Sequence, residues 1–212
     1  MKGIEMKREG LLMIISAPSG AGKTTLCSGL LKRFPEMRES ISYTTRKPRA
    51  GEVHGESYFF VSIDEFQRMI DGHLFAEWAE VHGNLYGTGL KTLDNARNSG
   101  IDLLLDIDCQ GARQLKEKFC KGSYIFIIPP SMDELRRRLE SRSSDSPEVI
   151  ERRIQRAGEE IMEARWYDYV IINDNLDQAM EDLYSIFVAE TRRTFRMKEQ
   201  ITKLFDIYSK VE

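Results

Sequence analysis

The sequence predicts an α/β fold with three layers, α/β/α, in which helices cover both faces of a central parallel sheet. Short, unbroken apolar runs recur along the chain, and each is typical of a strand buried on both faces. Segments with helical character separate these runs, and such alternation indicates a parallel sheet. The runs are residues 11–16, 101–107, 124–128 and 169–173.

Helix starts are marked by local side-chain patterns. Ser62–Glu65 and Ser131–Glu134 both match the capping box, in which a serine and an acidic residue three positions later satisfy free N–H groups. Ser146 is followed by Pro147, a residue favoured at the first position of a helix. We therefore expect helices to begin at these three points.

Two segments depart from the strand–helix alternation. Residues 45–88 are rich in aromatic residues and short strand-like runs, including Tyr58–Val61 and Phe75–Val81 with a turn after the latter. They predict an inserted mixed α/β lobe. Residues 138–156 join two helices and predict a helical lid. The core of this single domain is then expected to comprise about residues 11–44, 89–137 and 157–212.

The bulk composition excludes several classes of partner. A formal net charge of −3 gives no general attraction for nucleic acid or anionic membrane, and no apolar run approaches the roughly 20 residues that span a bilayer. Residues 1–10 are polar and lack the apolar stretch of a signal peptide. We therefore expect a cytoplasmic protein. Cys27, Cys109 and Cys120 have neither the count nor the spacing of a disulfide framework or zinc site.

The strongest motif follows the first apolar run and precedes an apolar-periodic helix. Residues 17–24 read APSGAGKT, which is a P-loop with alanine in place of its first glycine. Gly20 and Gly22 allow backbone N–H groups to surround a polyphosphate, Lys23 can span the β- and γ-phosphates, and Thr24 can offer its hydroxyl to Mg²⁺. A chance glycine-rich turn is the alternative, but it would not require the lysine, the hydroxyl and both flanking elements. The predicted ATP-binding loop comprises Ala17, Pro18, Ser19, Gly20, Ala21, Gly22, Lys23, Thr24 and Thr25.

A P-loop does not by itself define the reaction, because ATPases, GTPases and small-molecule kinases all contain one. The later strands lack the Asn-Lys-x-Asp pattern of guanine recognition in GTPases, and residues 173–175 match it only in part. The acceptor must be inferred from other segments.

Six segments, in consistent order, together resemble the guanylate kinase family, and the resemblance extends from about residue 11 to residue 196. These segments are Ser42–Glu52, Gly55–Phe60, Phe75–Val81, Gly83–Thr88, Leu105–Gly111 and Val170–Asp174. The resemblance implies ATP-dependent phosphorylation of GMP, and also of dGMP, with Mg²⁺, in purine nucleotide metabolism and GMP recycling. It implies that GMP is bound by Ser42, Arg46, Arg49, Tyr58, Glu77, Tyr86, Gly87, Thr88, Asp106, Asp108 and Gly111.

The chemistry of these residue types suits GMP. Guanine presents two N–H donors beside a carbonyl acceptor, so Glu77 can accept both hydrogen bonds while Ser42 donates to the carbonyl. Adenine has the opposite polarity and would leave buried polar groups unpaired. Arg46 and Arg49 are suited to fork onto the GMP phosphate. The alternative is that Tyr58, Tyr86 and Trp78 form the core of the lobe and that Glu77 is a solvated strand residue.

The arginines between residues 136 and 156 permit two interpretations. By resemblance, Arg138, Arg142 and Arg153 occupy lid positions that stabilise the transferring phosphoryl group, so they join Lys23, Arg46 and Arg49 as the predicted catalytic cations. Arg136, Arg137, Arg152 and Arg156 are interpreted as a solvated helix face.

Four polar residues complete the predicted site. Asp106 is expected to hold Mg²⁺ through water, together with Thr24, while Asp108 is expected to contact the base or ribose, although these two roles could be reversed. Asn173 and Asp174 are expected near the adenine of ATP, or else to form only a turn before the last helix.

Two other functions remain open from the sequence. Guanylate-kinase-like domains also occur as inactive protein-binding modules, but those have lost the phosphate-binding lysine and glycines that are present here. A kinase for another nucleoside monophosphate is the closer alternative.

Overall fold

A computed structural model describes residues 8–81, 83–118, 121–141 and 146–205 of the 212-residue chain. The strands are β1 (Leu12–Ser16), β2 (Arg38–Glu39), β3 (Tyr43–Thr44), β4 (Phe59–Phe60), β5 (Phe75–Val81), β6 (Asn84–Gly89), β7 (Leu103–Asp106), β8 (Ser123–Ile128) and β9 (Tyr169–Ile172). The helices are α1 (Lys23–Arg33), α2 (Ile63–Asp71), α3 (Leu90–Ser99), α4 (Cys109–Lys118), α5 (Met132–Glu140), α6 (Pro147–Ile161), α7 (Leu176–Thr191) and α8 (Thr194–Phe205), and a 3₁₀ turn (Met162–Trp166) follows α6.

The central sheet is parallel, with strand order β2-β7-β1-β8-β9. Alternate residues along β1 contribute to different hydrophobic clusters, as the period of a strand requires. Met13 and Ile15 pack with side chains from α1 and α7, whereas Leu12 and Ile14 pack with side chains from α3 and α4. Helices therefore cover both faces, and the predicted three-layer α/β/α fold with a central parallel sheet is confirmed.

The register of this sheet brings chemically important residues together. Ile15 of β1 lies beside Asp106 of β7, so both strands end at the same edge of the sheet. The P-loop follows β1 at this edge, and Asp108 follows β7. Ligands of open parallel sheets bind outside the carboxyl ends of the strands, and the candidate site lies at this edge.

The last strand of the sheet differs from its prediction. The apolar run 169–173 predicted a strand buried on both faces, but β9 is an edge strand, and Val170 and Ile172 are 47% and 58% exposed. Ile171 is buried in the same cluster as residues of α7, and the partly buried Tyr169 packs against that cluster. The prediction of burial on both faces was wrong because helices of the described chain cover only one face of this strand.

A second, mixed sheet has the strand order β4-β3-β6-β5 and lies within residues 43–89. Its core is aromatic: the Phe66 ring stacks on that of Phe75 with centroids 4.5 Å apart, and Tyr43 stacks on Phe59 at 4.7 Å. Strands β5 and β6 form an antiparallel hairpin whose register shifts between Phe75 and Glu77. This β-bulge immediately precedes Glu77.

The helix starts confirm the local predictions. The hydroxyls of Ser62 and Ser131 accept hydrogen bonds from N–H groups three residues later, each at 3.1 Å, and Pro147 is the first residue of α6. Helices α5 and α6 pack against each other through Leu135, Leu139, Ile150 and Ala157. None of the helices in the described ranges combines the length and apolar character needed to cross a membrane.

Candidate active site

The loop between β1 and α1 has the backbone shape that its glycines predict. Gly20 and Gly22 have φ angles of 96° and 97°, in the left-handed region that other residues rarely adopt. Within the described residues, no side chain caps the first turn of α1, so its N–H groups remain available to an anion. The loop lines a cavity of about 260 Å³ with Ala17, Pro18, Ser19, Gly20, Gly22, Lys23, Thr24 and Thr25.

Asn173 supports the P-loop from behind. It is buried, and its Nδ2 atom donates to the carbonyl oxygen of Ala21 at 2.7 Å. A Cβ atom at Gly22 would lie 2.2 Å from that same Nδ2 atom, so the absence of a side chain at position 22 is required by packing as well as by φ. Asp174, the next residue, is exposed. The side chain of Ala21 lies in the core.

Lys23 lies between the P-loop and the end of β7. Its Nζ atom forms an ion pair with Asp106 and donates to the carbonyl oxygen of Ile107 at 3.3 Å. Burial disfavours the charged amine, but the adjacent carboxylate outweighs this effect and raises the pKa of Lys23. The lysine is therefore held as a cation at the edge of the sheet.

A second cavity, of about 240 Å³, opens on the other side of Lys23. It is lined by Lys23, Ser42, Tyr58, Glu77, Ala79, Val81, Tyr86, Gly87, Asp106, Ile107 and Asp108. Lys23, Val81 and Asp108 line both cavities. A molecule bound in the second cavity would therefore meet a molecule bound on the P-loop at Lys23.

Glu77 is the buried acid of the second cavity. It is 4% exposed, and its carboxylate accepts a hydrogen bond from the Thr88 hydroxyl at 2.5 Å. Burial raises the pKa of Glu77 to about 7, although the Thr88 bond acts in the opposite direction. A Cβ atom at Gly111 would lie 2.3 Å from the Glu77 Oε2 atom, so glycine leaves room for the carboxylate. The alternative interpretation of Glu77 as a solvated strand residue is wrong.

Arg46 lies near the rings of the same cavity, while Arg49 is exposed. The guanidinium of Arg46 is 5.4 Å from the centroid of the Tyr58 ring and forms two hydrogen bonds with Glu52, at 2.8 and 3.0 Å. The backbone N–H of Arg49 donates to the same carboxylate at 2.7 Å. The Arg46 hydrogen bonds, with this N–H, lower the pKa of Glu52 to about 2. The carboxylate of Glu52 therefore bonds to both Arg46 and Arg49 and stabilises the turn that carries them.

Comparisons with known proteins agree with this geometry. The sequence profile described as Guanylate kinase matches residues 9–190. The chain belongs to the guanylate kinase family. It is 63% identical to the guanylate kinase of Geobacter metallireducens over 95% of this chain and 100% of the relative, and 50% identical to that of Salmonella paratyphi A over 91% and 94%. The crystal structure of guanylate kinase from Anaplasma phagocytophilum superposes with a TM-score of 0.75 at 34% identity, covering 95% of this chain and 98% of that one.

Family membership has a direct functional meaning. As a member of this family the chain is a P-loop transferase, and its activity is the ATP-dependent phosphorylation of GMP. The cavity on the P-loop and the cavity around Glu77 adjoin each other at Lys23, Val81 and Asp108.

The arginines of α5 and α6 have different positions in this guanylate kinase. Arg153 donates to the hydroxyl of Ser19 in the P-loop. Arg138 donates to Glu134 at 2.7 Å and to the carbonyl oxygen of Asn173 at 2.9 Å. Arg142 lies outside the described residues. Helix α6 thus brings one predicted catalytic arginine into contact with the P-loop.

Arg156 requires a correction. The sequence analysis assigned it to a solvated face, but it lines the P-loop cavity and pairs with Glu160 at 2.9 Å. Arg153 and Arg156 are three residues apart, so one face of α6 presents both to the cavity. Of the other arginines of that assignment, Arg137 and Arg152 are exposed, whereas Arg136 is partly buried, as Arg156 is, and pairs with Glu151.

Asp108 has a structural role that the motif alone did not reveal. Its Oδ1 atom accepts hydrogen bonds from the backbone N–H groups of Gln110 and Gly111, at 2.8 and 2.9 Å. It therefore caps the start of α4 while it also lines both cavities. Asn175 similarly caps α7 by accepting from the N–H of Gln178 at 3.0 Å.

The residues present fit a magnesium ion. Mg²⁺ prefers oxygen ligands and is commonly held by one or two protein groups together with phosphates and water. The hydroxyl of Thr24 and the carboxylate of Asp106 supply oxygens, and Thr24 lines the same cavity as the P-loop backbone. Thr24 and Asp106 are the residues that would hold the ion.

Sequence reasoning missed Glu52 and Glu160 as partners of site arginines. Glu160 follows Arg156 at the four-residue spacing of a helical ion pair, so the spacing was a usable signal. Glu52 pairs with Arg46 across a turn containing Gly51, for which no comparable periodicity exists.

Proposed function

We propose that GMP binds in the Glu77 cavity, that ATP binds on the P-loop, and that the γ-phosphoryl group passes directly between them. The observation that carries this proposal is the meeting of the two cavities at Lys23 and Asp108. Direct transfer requires the acceptor and donor phosphates to be adjacent and in line. Lys23 is the residue placed to contact both.

The base is selected by the buried carboxylate in this proposal. Glu77 accepts from the two N–H donors of guanine, and Ser42 donates to its carbonyl oxygen. Both residues line the cavity, and Thr88 restrains the carboxylate through its hydroxyl. A base without matching donors would leave Glu77 buried and unpaired, which is a strong basis for rejection. Because the base and phosphate contacts are the same in dGMP, we expect dGMP to be accepted.

The GMP phosphate needs no general base. Its second pKa is about 6, so it is already mostly a dianion at neutral pH and can attack the γ-phosphorus directly. The new bond joins a GMP phosphate oxygen to that phosphorus, the bond to the β–γ bridging oxygen breaks, and ADP leaves with the electron pair. Arg46, Arg49, Tyr58 and Tyr86 are proposed to orient the acceptor phosphate by hydrogen bonds.

Cations then supply most of the catalysis. Lys23, the N–H groups of the P-loop and the lid arginines Arg138, Arg142 and Arg153 stabilise charge on the transferring group. Support comes from the contact of Arg153 with Ser19. Mg²⁺ on Thr24 and, through water, on Asp106 would neutralise charge on the β- and γ-phosphates when bound.

Two segments are proposed to close over the substrates. We assign the GMP-binding lobe to about residues 45–88 and the lid to about residues 138–156. Closure excludes water, which would otherwise accept the phosphoryl group, and brings the lid arginines towards the phosphates.

A panel of acceptors tests the proposed function. ADP release is measured by a coupled assay with GMP, dGMP, AMP, CMP, UMP and dTMP, with and without Mg²⁺. We expect GMP and dGMP to be used and the other four to be slower by about 10⁴-fold or more, because a site built on hydrogen bonds rejects a base that cannot form them. Comparable rates with AMP would contradict the assignment of Glu77.

A further inference from the structure

Glu77 lies on a strand with one edge outside the sheet ladder. The order β4-β3-β6-β5 places β5 at the end of the mixed sheet, with β6 on its inner side. The outer side of an edge strand presents backbone N–H and C=O groups that no neighbouring strand pairs. The position of Glu77 therefore depends on what contacts this outer edge.

Helix α4 supplies those contacts through Gln114. The side-chain oxygen of Gln114 accepts from the backbone N–H of Trp78 at 3.3 Å, and its Nε2 atom donates to the carbonyl oxygen of Trp78 at 2.6 Å. The one amide side chain thus forms hydrogen bonds with both the N–H and the carbonyl group of Trp78, the residue that follows Glu77. This is the pair of bonds that a neighbouring strand would have made.

Two other residues on the same face of α4 contact the same short segment. Lys118 donates to the carbonyl oxygen of Ala76, the residue before Glu77, at 3.3 Å. Gly111 lies directly against the Glu77 carboxylate. Gly111, Gln114 and Lys118 are spaced by three and four residues, so they form one stripe of the helix. This stripe holds the backbone on both sides of Glu77 and borders its carboxylate.

The bulge in β5 explains why such support is needed. Phe75 is paired with Gly89 and Glu77 with Thr88, so Ala76 is an extra residue without an opposing partner in β6. A bulge bends the strand and changes the direction of the side chains that follow it. Pairing with β6 alone leaves this segment less constrained than a regular ladder, and the carbonyl of the extra residue is the one that Lys118 contacts.

We infer that Gln114 is a positioning residue for guanine selection, because it fixes the backbone at Trp78 and thereby the direction in which Glu77 enters the cavity. The inference rests on the proposed function, in which Glu77 accepts from the two donors of guanine. Gln114 itself does not line the Glu77 cavity. Its effect is transmitted through the strand.

The chemistry of the amide suggests two informative variants. Gln114→Met has a similar length but neither donates nor accepts a strong hydrogen bond. Gln114→Glu retains an acceptor for the Trp78 N–H but faces the Trp78 carbonyl with a carboxylate, which cannot donate. Gln67→Met is a matched control, since Gln67 is exposed on α2 and its side-chain amide donates to Asp71 of the same helix.

The test compares GMP with IMP, which lacks the exocyclic amino group of guanine and so removes one of the two donors. Steady-state kcat and KM are measured for GMP, IMP and ATP in the full-length chain and its variants. We expect Gln114→Met to raise the KM for GMP roughly tenfold and to reduce the preference for GMP over IMP several-fold, since small misplacements have effects of this size or larger. The KM for ATP should change less than about twofold, and Gln67→Met should behave as the parent chain.

A purely structural role would lower the melting temperature without changing the ratio of GMP to IMP. An unchanged ratio in a folded Gln114→Met variant would therefore overturn the inference. If that variant does not fold, an unchanged ratio in Gln114→Glu has the same meaning, and failure of both to fold would also overturn it, since it would make Gln114 a residue of stability.

Glu77→Gln, measured in parallel, separates this inference from the proposed function. If Glu77→Gln changes the ratio and the Gln114 variants do not, only the inference about Gln114 fails. If Glu77→Gln leaves the ratio unaltered, the proposed reading of guanine fails.

Discussion

The P-loop cavity and the Glu77 cavity are lined by different kinds of groups. The donor half comes from one continuous loop, residues 17–25, whose main features are backbone N–H groups and left-handed glycines. The acceptor half gathers Ser42, Tyr58, Glu77 and Tyr86 from separate parts of the mixed sheet and its loops. In the proposed function, main-chain N–H groups bind the phosphates, which are common to all nucleotides, whereas side chains bind the base, which differs between them. Substitutions should therefore affect rate on one side and specificity on the other.

The largest effect is expected at Lys23, a cation that lines both cavities. Lys23→Ala should lower kcat by about 10³-fold, because it removes a fixed cation from the transferring phosphoryl group. The loss should be equal for GMP and dGMP, since the lysine contacts no base. The coupled ADP-release assay measures both rates, and Lys32→Ala, an exposed position on the same helix, is the control. A loss below tenfold would place the catalytic charge elsewhere.

A smaller but more selective effect is expected from Glu77→Gln. The amide offers a donor where guanine also donates, so kcat/KM for GMP should fall about 10²-fold while the KM for ATP stays within twofold. Glu80→Gln, exposed on the same strand, should have no effect. If kcat/KM fell equally for GMP and for ATP, Glu77 would support the fold rather than the choice of base.

The same substitution should stabilise the protein above neutral pH. The folded-state pKa of Glu77 is raised to about 7 from an ordinary 4.5, so the folded chain takes up a proton in this window and loses stability as the pH rises through it. The carboxylate thus costs up to about 3 kcal/mol at pH 8, and removing it in Glu77→Gln should raise the melting temperature there. At pH 4 the two proteins should melt alike. A lower melting temperature of Glu77→Gln at pH 8 would contradict the assigned pKa.

The pH dependence of the KM for GMP should also report the titration of Glu77. Only the carboxylate accepts both guanine donors, so the KM for GMP should rise several-fold as the pH falls from 8 to 6.5 through the raised pKa. The GMP phosphate also titrates near pH 6, so Glu77→Gln is the necessary comparison, and its KM should vary less over this range. The KM for ATP should be nearly constant.

The smallest effect is expected from Arg136, an arginine of α5 that precedes the proposed lid. Arg136 pairs with Glu151 where both side chains remain in contact with solvent, and such pairs contribute little to stability. Arg136→Ala should change kcat less than twofold, whereas Arg153→Ala should lower it by about 10²-fold. Similar losses in the two variants would indicate that net positive charge, rather than placement at the P-loop, is what matters.

Local patterns predicted the features that depend on neighbours in sequence. The three-layer α/β/α fold and the starts of α2, α5 and α6 are confirmed, because apolar runs, caps and proline act within a few residues. The burial of β9 on both faces was wrong, since a strand's place at the edge of a sheet depends on the order of all its strands. The residue-level roles at the site stay predictions.

The remaining features lay in contacts between distant segments. Asn173 bonds to Ala21 across 152 residues of sequence, and Gln114 reaches Trp78 across 36. No periodicity connects such pairs, so the residue type alone could not indicate them. The solvated assignment of Arg156 failed for a related reason, because helical spacing shows which residues share a face but not what that face meets.

The wall shared by the two cavities has a thermodynamic consequence. Lys23 cannot change its partners for an incoming ATP without changing the charge that GMP encounters, because the same amine borders both chambers. The two binding equilibria are therefore linked, and the factor by which ATP alters the affinity for GMP must equal the factor by which GMP alters the affinity for ATP. In the proposed function, Lys23 would therefore carry cooperativity between the two substrates, because its charged amine borders both cavities.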